Sequence, residues 1–393
     1  MAESPASIPP SWSLCRTARR FRAAVASNLS ADNDETLPVK KVVEKVDGNI
    51  AEGECLLGEL TDIGRQNTYE FGRDLRRLYV ERLGFLPDTA LSDDQLYFRS
   101  TNVPRTVESL HQIIHGLYPA KKCANGYMPQ HRIRNGMDEN LFGNTAACKR
   151  LEILEVAFAR AAAESWSHAL EPLDKKISKY IGGNPIRLDG KPRASGVFDT
   201  IRAAIANGVP VPKDFTDPQV MDIIEDAVVD EWFGAYQSEE VRRLGMGRLL
   251  SDLSAKIEKK AQQGVADPMR ILVHSVHDTT LASICATLDV FDKRWPPFTS
   301  SISFELFRKR AKESPSGSSP WQKAFSAFNR PNMSDHYIRM RYQNRNLVLP
   351  ICANEGKHLP GHPEFCTLAA FRDRVRELTP ADWEAECAAS GKA

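Results

Sequence analysis

Two short stretches of this chain hold side chains of the kind that bind phosphate and move protons. The first is His274-Ser275-Val276-His277-Asp278-Thr279-Thr280-Leu281. An apolar run, Ile271-Leu272-Val273, leads in, and an apolar helical pattern leads out. The polar residues therefore fall at the carboxyl end of a strand and the start of a helix. Open α/β sheets bind ligands at such ends, and helix N-termini favour anions. A histidine beside an aspartate there can hold an anion and hand over a proton. An N-capping Asp278 next to a core His277 fits the local pattern equally well. The second stretch, Phe98-Arg99-Ser100-Thr101-Asn102-Val103-Pro104-Arg105-Thr106, also lies between a strand and a helix. Arg105 falls at the helix start, where its charge opposes the macrodipole and wants an anionic partner. A guanidinium grips phosphate through two parallel hydrogen bonds. Taken alone, a surface arginine on a loop fits as well.

The elements that must position these residues are legible from periodicity. Thr61 or Asp62 can cap a helix, and Phe71, Leu75, Leu78, Tyr79 and Leu83 follow at spacings of three and four. Residues 96–100 read as a buried strand. A helix follows from near Thr106, with Val107, Leu110, Ile114 and Leu117 on one face, and stops at Pro119. Residues 121–264 are helical in texture: 151–170, then a helix opened by Asp217 and Pro218 and running to Phe233, then 239–260. Gly/Pro-rich connections at 182–196 and 208–218 separate them. Strands return at 270–274, 302–307, 337–342 and 347–349, with helices at 280–288, 368–378 and 381–389. Residues 1–58 show little period apart from a helical run at 16–25. Strands and helices thus alternate at both ends of a helical middle. That pattern is an α/β core (1–120 and 265–393) with a helical cap (121–264) inserted.

Composition narrows the function classes. Hydrophobic residues make up 42% and charged residues 26%, which is ordinary for a globular chain. The 52 basic and 51 acidic residues nearly cancel, which argues against a nucleic-acid or membrane-surface binder. No apolar run is long enough to span a bilayer. Eight cysteines occur without a Cys-x-x-Cys pair, so zinc and dithiol redox sites gain no support. Cys352 and Cys366 flank a short loop and can pair in an oxidising compartment. Triplets at Asn28 and Asn332 match the N-glycosylation pattern weakly. The first 25 residues carry Arg16, Arg19, Arg20 and Arg22 but no apolar core, so a secretory leader is not expected in the chain as given. The stretch 11–27 fits a transit peptide or a folded segment. The compartment is cytoplasmic by default, with mitochondrial or secreted left open.

Rival sites are weaker. His111 and His115 have the spacing of helical zinc ligands, but Gln112 stands where a metalloprotease needs Glu. His111 lies on the apolar face of its helix and reads as a core histidine. His274 and His277 lack further ligands. His358 and His362 sit in a Gly/Pro loop, where packing is the plain reading. No Gly-x-Gly-x-x-Gly, Walker loop or Gly-x-Ser-x-Gly elbow occurs, so no nucleotide cofactor and no serine hydrolase is expected. No metal is expected either.

Together the motifs are far more specific. Arg99-Ser100-Thr101 with Arg105-Thr106, about 170 residues before His277-Asp278, resembles the histidine acid phosphatases, the acid-phosphatase branch of the histidine phosphatase superfamily. Gly58-Glu59-Leu60-Thr61-Asp62-Ile63-Gly64 is similar to the segment before that family's first long helix. Trp295-Pro296-Pro297-Phe298 with Phe304-Glu305-Leu306 is similar to its next strand. Lys357-His358-Leu359-Pro360-Gly361-His362 to Cys366 resembles its cysteine-bracketed loop. The likeness spans roughly residues 10–390 and is nearest in flavour to lysophosphatidic-acid phosphatases and fungal relatives. It implies a phosphoglycerate-mutase-like three-layer core, a mixed sheet flanked by helices, with a helical cap. It also implies a small phosphorylated substrate, lysophospholipid among the candidates, and a phosphohistidine intermediate. Carried over residue by residue, Arg105 and His277 hold phosphoryl oxygens, Asp278 protonates the leaving alcohol, and Arg99 supports the pocket.

The family's nucleophile has no counterpart. It sits in Arg-His-Gly-x-Arg at the end of an N-terminal strand, and no Arg-His-Gly occurs in the 393 residues. The earliest histidine is His111. Pro9-Pro10-Ser11-Trp12-Ser13-Leu14-Cys15 resembles the region just after that strand, so the chain is expected to begin downstream of it. Two expectations follow: a truncated reading of an active phosphatase, or a pseudophosphatase that binds phosphorylated ligands without turnover.

Overall fold

The structure is a computed structural model that describes residues 5–9, 11–16, 20–23, 37–40, 42–51, 53–310 and 335–389. The triplets at Asn28 and Asn332 lie outside the described residues. The chain divides into two compact units: residues 1–136, 162–228 and 270–276 form one, and residues 137–161, 229–269 and 277–393 the other.

In the first unit, strands β1 (Arg20–Ala23) and β2 (Leu37–Lys40) pair antiparallel, as do β3 (Val43–Glu44) and β4 (Ile50–Ala51). The helical run expected at 16–25 is therefore corrected. Backbone pairing of Arg20 with Lys40 and Ala23 with Leu37 holds its described part extended, since non-local pairing overrides a weak local preference. Helix α1 (Asp62–Leu75) opens where expected, with the Thr61 side chain accepting from the Gly64 amide. A π-helical turn, Arg76–Arg82, continues it. Strand β5 (Leu96–Ser100) feeds helix α2 (Pro104–Leu117), which begins at Pro104 with Val103 as its N-cap. Proline suits the first helical position because its missing N–H would have had no partner there.

Strands β5, β6 (His131–Arg132) and β7 (Ile271–Ser275) form a parallel sheet in the order β6-β5-β7. Phe98, Leu96 and Val273 of this sheet pack with Leu110, Ile113 and Leu117 of α2. Helices α1 and α2 meet almost backbone to backbone. A Cβ at Gly72 would stand 2.2 Å from the Ile113 carbonyl oxygen, and one at Gly116 would stand 2.2 Å from that of Tyr69. Arg65 of α1 pairs with Glu108 of α2 and donates to the Leu60 carbonyl. The segment before α1 is thereby tied to α2.

The helices between are α3 (Lys149–Leu170), α4 (Asp174–Ile177), α5 (Ala194–Ala206), α6 (Pro218–Phe233), α7 (Glu239–Arg242) and α8 (Arg248–Gln263). The division between units passes through α3 and α6. Helix α5 begins inside the stretch expected to be a Gly/Pro-rich connection, with Gly196 in its first turn. The single helix expected over 239–260 is broken by a π-helical turn at Arg243–Gly247.

In the second unit, helix α9 (Asp278–Thr287) precedes an antiparallel sheet. Strand β8 (Ile302–Arg308) pairs along the whole of β9 (His336–Tyr342). On the other edge of β9, β10 (Arg345–Leu347) takes one end and β12 (His362–Thr367) the other, with β11 (His358–Leu359) outside β12. The strand expected at 347–349 starts earlier because Gln343 and Asn344 turn tightly with positive φ. His358 and His362, read as loop residues, sit on this last hairpin. Helix α10 (Leu368–Leu378), capped by Thr367, packs Phe371 on Phe304. The last helix, α11 (Trp383–Glu386), is shorter than expected. The π turn lets the Leu378 carbonyl approach Gly247, where a Cβ would stand 2.1 Å away.

Three disulfides form: Cys15–Cys55, Cys148–Cys387 and Cys352–Cys366. Only the last was singled out in the sequence. No helix among the described residues is long and apolar enough to cross a membrane.

Two outcomes follow from this packing. Gly72→Ala should lower stability by about 1–3 kcal/mol, since its methyl group would meet backbone that cannot move aside; urea denaturation reads this. Cys148→Ser should cost on the order of 4–5 kcal/mol, because that bridge spans a separation of 239 residues. The loss should vanish when both proteins are compared in reductant.

Candidate functional site

The second motif's structure begins with β5. Its inner residues Leu96, Phe98 and Ser100 are buried against α2 or its turn, and Arg99, at 2% exposure, points to the opposite face. Register sets Arg99 between Arg132 of β6 and His274 of β7. Two arginines and a histidine thus form one cross-strand row, one position before the sheet's carboxyl end. Arg132 stacks over the Tyr97 ring at 4.8 Å, and His274 tilts against the same ring. Like charges directly opposite one another repel, so such a row gains from an anion nearby.

Beyond Ser100 the chain turns into α2. The N-cap Val103 has no side-chain acceptor to offer the helix amides, and Thr106 instead fastens the turn through its carbonyls. Its hydroxyl lies 2.7 Å from that of Thr101 and within bonding distance of the Thr101 and Val103 carbonyls. Arg105, the second helical residue, is exposed. Its Nη1 lies 3.3 Å from where a Cβ on Gly58 would stand. Gly58 has φ +69°, which glycine adopts freely and other residues do not. The Arg65–Leu60 bond and the Cys15–Cys55 bridge hold the backbone on either side of that glycine.

The two motif strands are neighbours. Ser100 lies opposite Ser275 in the parallel register, and the Thr101 amide points at the Ser275 carbonyl. Two residues later the chain enters the second unit. There His277 is the N-cap of α9, extended at φ −107° and ψ 159°. Its ring meets the edge of Phe142. Asp278 opens the helix, where a carboxylate suits the macrodipole. Its Oδ1 accepts from the Thr279 amide and its Oδ2 from the Trp295 indole N–H, both at 2.8 Å. Trp295 in turn packs on Trp232 and Phe233. The Thr280 hydroxyl donates to the Leu141 carbonyl, which fixes the loop carrying Phe142.

The structure brings Arg99 and His274 together in the first unit, with Arg105 on the following turn, and His277 and Asp278 together in the second. Three contacts were not legible in sequence. Trp295 and Phe142 lie far from Asp278 and His277 along the chain, with no periodic signal. The third corrects the reading of His111 as a core residue. It is exposed, and its Nε2 lies 3.1 Å from Nδ1 of His131, whose Nε2 is 2.8 Å from the Ser100 hydroxyl. His115 packs on the Tyr69 ring instead. Among the described residues no group of three or more His, Cys, Asp or Glu could hold a metal ion.

Comparison with known proteins agrees with this architecture. A family model, histidine phosphatase superfamily (branch 2), matches residues 13–343. A Schizosaccharomyces pombe protein named "Probable acid phosphatase" is 36% identical over 97% of this chain and 89% of its own length. Human testicular acid phosphatase is 26% identical over 82% of this chain and 72% of its own. Among solved structures, a Citrobacter braakii phytase shares the fold with TM-score 0.58 at 15% identity, over 86% of this chain and 91% of its own. The chain belongs to the histidine phosphatase superfamily, branch 2, and within it to the histidine acid phosphatases.

Proposed function

We propose that this chain is a phosphomonoester-binding member of the acid phosphatases whose 393 residues supply the phosphate ligands and the proton donor but not the nucleophile. Arg105 holds phosphoryl oxygens with His277, Arg99 supports them, and Asp278 is the acid for the leaving alcohol. Residues 121–264 act as a cap that selects the organic part of the ester, a lysophospholipid being one candidate. No metal takes part.

The observation that carries this reading is the parallel register of β5 and β7, with Ser100 opposite Ser275. Two motifs far apart in sequence leave one sheet from adjacent strand ends, where α/β sheets bind ligands. The cationic row behind Ser100 supports an anionic ligand. Phosphoryl transfer through a covalent intermediate needs an in-line nucleophile, and removing one costs on the order of a million-fold in kcat in a well-studied hydrolase. Without Arg-His-Gly the residues present favour binding over turnover.

Calorimetry with inorganic phosphate should show binding by the 393-residue chain. Arg105→Gln should weaken it by roughly tenfold or more, the scale of one charge-assisted contact. Undiminished binding in that variant removes Arg105 from the site. p-Nitrophenyl phosphate should be hydrolysed no faster than by buffer, and robust turnover would overturn the assignment of inactivity. Gly58→Val should lower phosphate affinity with Arg105 still present, because the new side chain takes the space against which the guanidinium rests. Phosphate affinity equal to wild type would show that this contact does not set the Arg105 pose.

A further inference from the structure

The hydroxyl of Ser100 ends a hydrogen-bonded chain that the proposed phosphate site does not use. His111 of α2 meets His131 of β6 through Nε2 and Nδ1, with the rings nearly perpendicular. His131 Nε2 then meets the Ser100 hydroxyl. The hydroxyl lies 2.7 Å from the Thr101 carbonyl, which can take only a donor. A single hydroxyl proton cannot serve two acceptors. With that proton on the Thr101 carbonyl, His131 Nε2 must carry a hydrogen and donate. His131 Nδ1 is then bare in the neutral ring and accepts from His111 Nε2–H. The whole chain runs one way, from His111 through His131 and Ser100 into the backbone of the turn that leads to Arg105.

We propose that His131 is a positioning residue for the phosphate-binding turn, held in its Nε2–H tautomer by His111. This rests on the reading of Arg105 as a phosphate ligand. The turn needs such support because Val103 gives α2 no side-chain cap. Ser100 is fully buried, so its hydroxyl has no water to fall back on.

The link responds to protons in two steps. One added proton charges His131 and reverses the middle bond: Nδ1–H of His131 donates to Nε2 of His111, whose own hydrogen moves to Nδ1. The bond to Ser100 survives. A second proton sets two N–H groups against each other and breaks the pair. Although His111 keeps an exposed edge, the packing around each ring pushes both imidazoles below the ordinary value of 6.5; Glu108 pulls His111 back up, and the neighbouring His111 lowers His131 further. Glu108 is itself paired with Arg65 of α1. Arg99 and Arg132 lie one residue along from Ser100 and His131, hence on the other face of the sheet with His274. As pH falls through 6.5 toward the lowered native values, the unfolded chain binds protons first, so this pair's contribution to stability declines there.

Long-range proton–nitrogen NMR of the 393-residue chain reads the tautomers. The expected spectrum has Nε2–H on both rings at neutral pH and His111 switching to Nδ1–H as His131 charges. An Nδ1–H His131 at neutral pH, or two independent ordinary titrations, would overturn the proposal. Calorimetry with inorganic phosphate then compares H131L with H131Q, whose amide can still donate to Ser100. H131L should bind roughly tenfold more weakly, the loss of one buried hydrogen bond, and H131Q should bind as wild type does at neutral pH. Equal affinity for H131L and wild type, or no rescue by H131Q, refutes the positioning role. Should the wild-type chain bind no phosphate, the Arg105 reading fails by itself. Amide exchange at Thr101 and Thr106 in the same variants then decides whether His131 holds the turn.

Discussion

The parallel pairing of β5 with β7 is the constraint on which the proposed chemistry depends. The two strands lie far apart in sequence, and five residue pairs join them from Leu96 opposite Ile271 to Ser100 opposite Ser275. A register slip of one residue would turn every side chain to the other face of the sheet. Phe98 would leave the core it shares with Leu110, and Arg99 would be driven into that core. The hydrophobic face therefore fixes the register, and the register fixes where Arg99, Ser100 and His274 stand. Packing that carries no chemistry of its own sets the geometry of residues that do.

The same logic extends to the turns. Arg105 is exposed, and nothing in its own helix holds it. Its position follows from a glycine whose missing side chain leaves room, from Arg65 anchoring the backbone beside that glycine, and from α1 and α2 meeting at Gly72 and Gly116. Asp278 is held differently, by an amide of its own helix and an indole from a later loop. Two donors on this carboxylate fix its plane, while each oxygen keeps a second lone pair.

Much of this was legible in the sequence because the signals are local. Thr61 caps α1, Pro218 opens a helix, and apolar runs mark β5 and β7; each depends on residues within a turn or two. The two motifs could be placed at strand ends for the same reason. What was not legible depends on chain crossing chain. The strand at Arg20–Ala23 exists because Leu37–Lys40 pairs with it. The Leu378 carbonyl meets Gly247 at the π turn from far along the chain. His111 seemed a core residue because helical period cannot tell an apolar contact from a histidine partner twenty residues on. The disulfides Cys15–Cys55 and Cys148–Cys387 left no spacing signal, whereas Cys352 and Cys366 flank one short hairpin.

Binding and catalysis make separate demands on such a site. Arginines that grip a phosphoryl group speed the chemical step only as far as they hold the transition state more tightly than the substrate. Acceleration comes from groups whose interactions strengthen as bonds change: an attacking imidazole in line with the leaving oxygen and an acid beside it. The residues assigned here include the second of these and lack the first. An acid without a protein nucleophile beside it leaves only water to attack the phosphorus. On the proposed reading, these residues alone would keep affinity for phosphate monoesters while losing rate, and selectivity would lie in what the site holds.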